Sequence, residues 1–106
     1  MQKPTDCRIT PQEALAMMQS ESCTVVDVRT ESEYYTGRIG NAILIPEDEL
    51  LDHAGELLPD RGEPVLVYCA SGSRSRRAAL LLTGLGYRRV YDLGGIENWP
   101  YGRNLP

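Results

Sequence analysis

No Cys-x-x-Cys pair occurs in this chain of 106 residues, and histidine appears only once, at His53. Zinc-ligand spacing is therefore absent, and neither a metal nor another cofactor is expected. The three cysteines, Cys7, Cys23 and Cys69, are odd in number and cannot all pair within the chain. The first residues, Met1-Gln2-Lys3-Pro4-Thr5-Asp6, hold no apolar signal core, and no run approaches the roughly 20 apolar residues of a membrane helix. Together these absences lead to the expectation of a soluble protein in a reducing compartment, the cytoplasm, with no membrane partner. Positive charge is also in deficit, since the net charge is −4. An acidic domain is a poor general binder of nucleic acid, whose affinity comes from phosphate neutralisation.

What the chain does have is enough apolar content for one core. Hydrophobic residues make up 42% of a length that suits one compact domain over 1–106, with its core at about 8–100 and short flexible ends. Thr10-Pro11-Gln12-Glu13 is a capping box with proline at the first helical position, and predicts a helix to about Gln19 with Ala14, Leu15 and Met18 facing inward. Thr24 to Val28 reads as a buried strand. Thr30-Glu31-Ser32-Glu33 is a second capping box, opening a short helix that Gly37 stops. Ala42 to Ile45 is the next strand. Glu47 to about Ala54 reads as helical, with Gly55 interrupting it. Val65 to Tyr68 is a strand after Pro64. The longest helix runs from about Arg74 to Leu85, with Ala78, Leu81, Leu82 and Leu85 on its inner stripe. Arg89 to Tyr91 is a last strand, followed by a turn at Gly94-Gly95 and a short helix near Ile96 to Trp99.

Strands alternating with helices predict an α/β fold, a central parallel sheet of about five strands with helices on both faces. Ligands of such sheets bind beyond the carboxyl ends of the strands. Cys69 follows one strand end, and Asp27 and Arg29 follow another. The segment Cys69-Ala70-Ser71-Gly72-Ser73-Arg74-Ser75 then links a strand directly to a helix N-terminus. Backbone N–H groups in that loop and the positive end of the helix dipole can hold an anion. A free thiol at neutral pH is only a few per cent thiolate, and such donors raise the fraction. Arg74, Arg76 and Arg77 in the first helical turns oppose the dipole, an unfavourable placement that an anion in the loop reverses. Cys7 and Cys23 lack these surroundings and read as packing residues. His53 reads as a surface residue.

The chain resembles a single-domain rhodanese. Cys69 to Ser75 resembles that family's C-x-S-G-x-R-S loop. Asp27-Val28-Arg29, with Glu33-Tyr34 and Gly37-x-Ile39, resembles its first signature, and Gly86-Tyr87 through Leu93-Gly94-Gly95-Ile96 and Trp99 its closing one. Two departures stand out: Arg38 where the family has histidine, and Gly40-Asn41 where it has proline-glycine. Asn41 is expected to supply the left-handed conformation of the lost glycine.

The resemblance implies a sulfurtransferase of the thiosulfate type. Cys69 would take the outer sulfur of thiosulfate or a persulfide donor as its own persulfide. Cyanide or a cellular thiol, such as that of a small redox protein, would then remove it. The amides of Ala70, Ser71, Gly72, Ser73, Arg74 and Ser75 would cradle that sulfur, and Arg74 would help bind an anionic donor. Asp27 and Arg29 would brace the strand ends as an ion pair, while Trp99 and Tyr101 would pack near the C-terminal turn. Two alternatives remain. A phosphatase or arsenate reductase of the dual-specificity type shares the cysteine, cradle and arginine, but its C-x5-R loop is one residue longer than the C-x4-R seen here. A non-catalytic sulfur carrier, sensor or docking module would keep the loop without turnover.

Overall fold

The computed structural model describes residues 7–105. The N-terminal stretch, expected to be a flexible end, lies outside them up to Asp6. Helix α1 (Pro11–Ser20) opens with the anticipated reciprocal cap: Glu13 N donates to Thr10 Oγ1 at 3.1 Å, and Thr10 N donates to Glu13 Oε1 at 2.9 Å. Its inward residues are Ala14, fully buried, with Met17 and Met18. Leu15 stays outside the cluster they join. Strand β1 (Thr24–Asp27) leads to α2 (Glu31–Tyr34), which carries the second capping box. Strand β2 (Ile43–Leu44) precedes a 3-10 turn at Glu47–Glu49 and helix α3 (Leu50–Leu57). Gly55 does not interrupt α3; with Ala54 and Leu58 buried on its inner side, packing outweighs the roughly 1 kcal/mol a glycine costs a helix.

Strand β3 (Val65–Cys69) is buried along its whole length and continues through the Cys69 loop into α4 (Ser73–Gly84). Strand β4 (Val90–Gly95) is followed by a 3-10 turn at Ile96–Asn98. The four strands run parallel in the order β2-β1-β3-β4. The described residues thus form four strands where about five were expected, with an isolated single-residue bridge from Arg8 to Asp92 beside β4.

Alternation along β3 sorts the core into two layers. Val65, Val67 and Cys69 face α3 and α4, where Leu50, Ala54, Ala78, Ala79 and Leu82 are buried. Leu66 and Tyr68 face the other side, against Ala14 of α1 and Ile96. Full burial of one leucine such as Leu82 is worth about 1.5–3 kcal/mol. Helices thus cover both faces, as the α/β pattern requires. The chain turns from β1 outward to β2, then back past β1 to β3. The crevice between the ends of β1 and β3 is therefore the switch point at which open α/β sheets bind ligands.

Two glycine expectations change. Gly94 and Gly95 belong to β4 rather than to a turn after it, pairing with Tyr68 and Cys69 beyond a register shift. The reason is space: a Cβ on Gly95 would stand 2.5 Å from the Ala70 carbonyl oxygen, so only glycine lets the strand pass beneath the loop. Gly40, at φ +53°, takes the left-handed conformation anticipated for Asn41.

Candidate active site

Cys69 is the last residue of β3, and its side chain is fully buried beneath the loop. Its Sγ accepts the Gly72 amide at 3.0 Å and the Ser75 amide at 3.3 Å. Helix α4 has no side-chain cap of its own, because its N-cap residue is Gly72, at φ +113°. The amide of the third helical residue ordinarily goes to a capping serine, threonine or aspartate oxygen. Here it goes to sulfur, so Cys69 is the capping acceptor of its own helix. Negative charge on Sγ is what that position favours. The intervening amides of Ser73 and Arg74 have no acceptor among the described residues, as expected in a first helical turn. Two loop amides, those of Gly72 and Ser75, contact Sγ itself.

The loop is anchored from β4 by a residue that sequence reasoning passed over. Asp92 is a buried carboxylate whose Oδ1 accepts the Ser75 hydroxyl at 2.7 Å and the Gly94 amide at 2.9 Å. Ser75 Oγ also lies 3.0 Å from the Gly72 carbonyl oxygen. Ser75 therefore reaches the sulfur with its backbone and strand β4 with its side chain. The Asp92-x-Gly94 spacing, an aspartate accepting the amide two residues on, was the available signal.

Two of the three arginines beside the loop are paired, while Arg76 is exposed and makes no ion pair among the described residues. Arg74 donates from Nη1 and Nη2 to the two carboxylate oxygens of Glu33, at 2.8 and 3.1 Å. Arg77 donates from Nε and Nη2 to Glu47, at 2.6 and 3.0 Å. Arg74 holds the Glu33 carboxyl down at about 2, and the Thr30 amide and hydroxyl add to this while burial opposes it. Bonding to Arg77 lowers Glu47 in the same way. Glu33 and Glu47 raise Arg74 and Arg77 in return, with a smaller contribution from negative charge at Cys69. The anions that offset the helix dipole for these arginines include two glutamates from other elements, and both were missed as site residues. A cleft of about 210 Å³ opens beside the loop, lined by Thr30, Pro46, Glu47, Asp48 and Arg74 among others.

Asp27 and Arg29 form the expected brace, at 2.7 Å, with both side chains buried. Arg29 also donates to the Gly37 carbonyl at 2.7 Å. Burial works against its charge, but its bonds to Asp27 prevail and raise its pKa. Tyr68 completes the brace, donating to Asp27 Oδ2 at 2.8 Å and accepting the Ile39 amide at 3.1 Å. Burial pushes its hydroxyl well above the usual phenol range. Tyr68 and its register partner Asp27 lie on the opposite face of the sheet from Cys69, while Arg29 also lines the cleft that Arg74 borders. Arg38 stacks over Tyr34, 4.9 Å from its ring, and its Nε is buried without a hydrogen-bond partner. Trp99 packs edge-on against the half-exposed Tyr101, with ring centres 5.0 Å apart. His53 is exposed on α3, 3.7 Å from Glu56. Cys23 lines a cavity at the other end of β1, and Cys7 packs at the margin of the layer that contains Cys69. Among the described residues no helix is long and apolar enough to cross a membrane, and no side-chain cluster could hold a metal.

The rhodanese-like domain model matches residues 10–100, from the cap of α1 to the residue after Trp99. This chain belongs to the rhodanese-like family. It is similar to the thiosulfate sulfurtransferase GlpE of Glaesserella parasuis, 38% identical over 99 residues that cover 90% of this chain and 87% of that protein. It is also similar to the uncharacterized protein YibN of Escherichia coli, 34% identical over 92% of this chain and 69% of that protein. Among solved structures, a rhodanese-related protein of Thermoplasma volcanium matches with a TM-score of 0.80 and 33% identity, covering 93% of this chain and 98% of that one. The rhodanese-like chain is thus an α/β domain of a sulfurtransferase family.

Proposed function

We propose that the protein transfers a sulfane sulfur through a persulfide on Cys69, taking it from thiosulfate or a persulfide and passing it to cyanide or a cellular thiol. The observation that carries this reading is the position of Sγ as the capping acceptor of α4, held by the Gly72 and Ser75 amides. A thiolate there attacks the outer sulfur of the donor. One sulfur–sulfur bond forms as the donor's own breaks, and sulfite or a thiolate departs with the electron pair. The open amides of Ser73 and Arg74 would receive the transferred sulfur, a stabilisation of the kind an oxyanion hole provides. The acceptor then attacks the outer sulfur and restores Cys69, giving two half-reactions with ping-pong kinetics.

Glu33 and Glu47 already neutralise the Arg74 and Arg77 guanidiniums, and the C-x4-R loop is one residue shorter than the C-x5-R loop of the phosphatases. Both features favour sulfur over phosphate. The same covalent cycle serves a catalytic enzyme or a sulfur carrier, and a thiosulfate–cyanide assay separates them. Thiocyanate formation above background by the wild type, absent from Cys69→Ser, supports the enzyme. No thiocyanate from the wild type removes it. Hydrolysis of an aryl phosphate well above the Cys69→Ser control would instead assign a phosphatase.

A further inference from the structure

Four charged side chains surround the mouth of the Cys69 loop as two closed pairs. Arg74 is bound at both terminal nitrogens by Glu33, and Arg77 is bound by Glu47. Two positive and two negative groups leave these two pairs with no net charge, and Arg76 alone of the three arginines is unpaired among the described residues. Glu33 is not an incidental surface partner. Its Oε1 also accepts the Thr30 amide at 2.9 Å and the Thr30 hydroxyl at 3.0 Å, so the α2 cap fixes it in place. Glu47 projects from the turn after β2 and lines the cleft beside the loop together with Arg74. A site built to gather a dianion would leave at least one of these guanidiniums open to it.

We infer that Glu33 and Glu47 are specificity-determining residues that disfavour a dianionic sulfur donor at Cys69 and direct the site toward persulfides whose body carries no charge. The inference rests on the sulfur-transfer reading above. For thiosulfate to reach Arg74 it must displace Glu33 or approach with two negative charges beside that carboxylate. An alkyl persulfide, RSSH, meets no such penalty. The Cys69 thiolate attacks its terminal sulfur, a new sulfur–sulfur bond forms, RS⁻ leaves with the electron pair, and the proton stays on the transferred sulfur. No oxidant or reductant is consumed.

The test is the rate of Cys69 sulfur loading against donor concentration, followed by intact mass. Donors are thiosulfate and the persulfide of 2-mercaptoethanol, and proteins are wild type, Glu33→Gln and Glu47→Gln. Glutamine keeps the acceptor that the Thr30 cap requires, so the first variant changes charge more than structure. Glu47→Gln alters a pair whose arginine is largely exposed and serves if Glu33→Gln folds poorly. Removing one negative charge a few ångströms from a dianion is expected to improve thiosulfate loading efficiency on the order of tenfold in a water-like dielectric, and less at high salt. Loading from the persulfide is expected to change less than twofold by the same charge argument. Equal changes for both donors, or weaker thiosulfate use in both variants, would overturn the assignment. Failure of the wild type to load from either donor would instead remove the sulfur-transfer reading, and this inference with it.

Discussion

The Ser75 hydroxyl donates to the Asp92 carboxylate at 2.7 Å while the Ser75 amide donates to Cys69 Sγ at 3.3 Å. One residue therefore couples the position of the sulfur to strand β4. Ser75→Ala leaves a buried carboxylate short of a donor, which costs about 1–3 kcal/mol. Urea unfolding should show that loss, and sulfur loading should slow. Asp92→Asn keeps an oxygen acceptor for both Ser75 and Gly94, so its loss in both measurements should be smaller.

The passage of β4 beneath the loop gives a second expectation. Gly95→Ala places a methyl group 2.5 Å from the Ala70 carbonyl oxygen and 2.8 Å from Ser71 Cα, both backbone atoms. The loop must shift. Displacing a reacting group by about 1 Å can cost up to about a hundredfold in rate, and the loading rate of Gly95→Ala should fall toward that extent. Gly84→Ala, with nothing within 4 Å of the added carbon, is the control and should load normally.

The buried brace should matter to stability before chemistry. Asp27→Ala strands the Arg29 guanidinium in the core, and breaking a buried pair in this way costs about 3–5 kcal/mol. The denaturation midpoint should fall accordingly. Molecules that remain folded should still load sulfur, because Asp27 itself lies across the sheet from Cys69. A folded Asp27→Ala protein unable to load would assign the pair a direct role.

The Glu33–Arg74 pair also sets an acid limit. The Glu33 carboxyl lies at about 2, below its ordinary 4.5. A carboxyl lowered on folding stabilises the fold where it is ionised. Its contribution is complete above about 4.5 and disappears as pH falls through about 2. The Glu33 side-chain carbon resonance should titrate in that lower range. Glu33→Gln should flatten the loss of stability between those pH values, and an ordinary carboxylate titration at Glu33 would contradict the pairing.

Much of this molecule is legible in its sequence where local chemistry decides. Both Thr-x-x-Glu capping boxes form, and the β-branched run at Thr24 to Asp27 is a central strand. Cys69 meets the helix N-terminus because strand, short loop and helix are contiguous. What stayed hidden was tertiary. Glu33 reads as a capping residue, and nothing local shows that its other oxygen reaches Arg74 in a helix 41 positions away. Glu47 and Asp92 are likewise ordinary acids until the sheet order brings them to the Cys69 edge. Gly94-Gly95 reads as a turn because glycine pairs usually are turns, and only the Ala70 carbonyl above Gly95 shows why a strand needs it.

The most direct test is intact mass spectrometry after thiosulfate treatment, with and without subsequent cyanide, and with peptide mapping of the product. The account predicts a gain of one sulfur atom on Cys69, its loss on adding cyanide, and no gain in Cys69→Ser. Sulfur found on Cys7 or Cys23 instead, or a Cys69→Ser protein that loads as well as wild type, would contradict it.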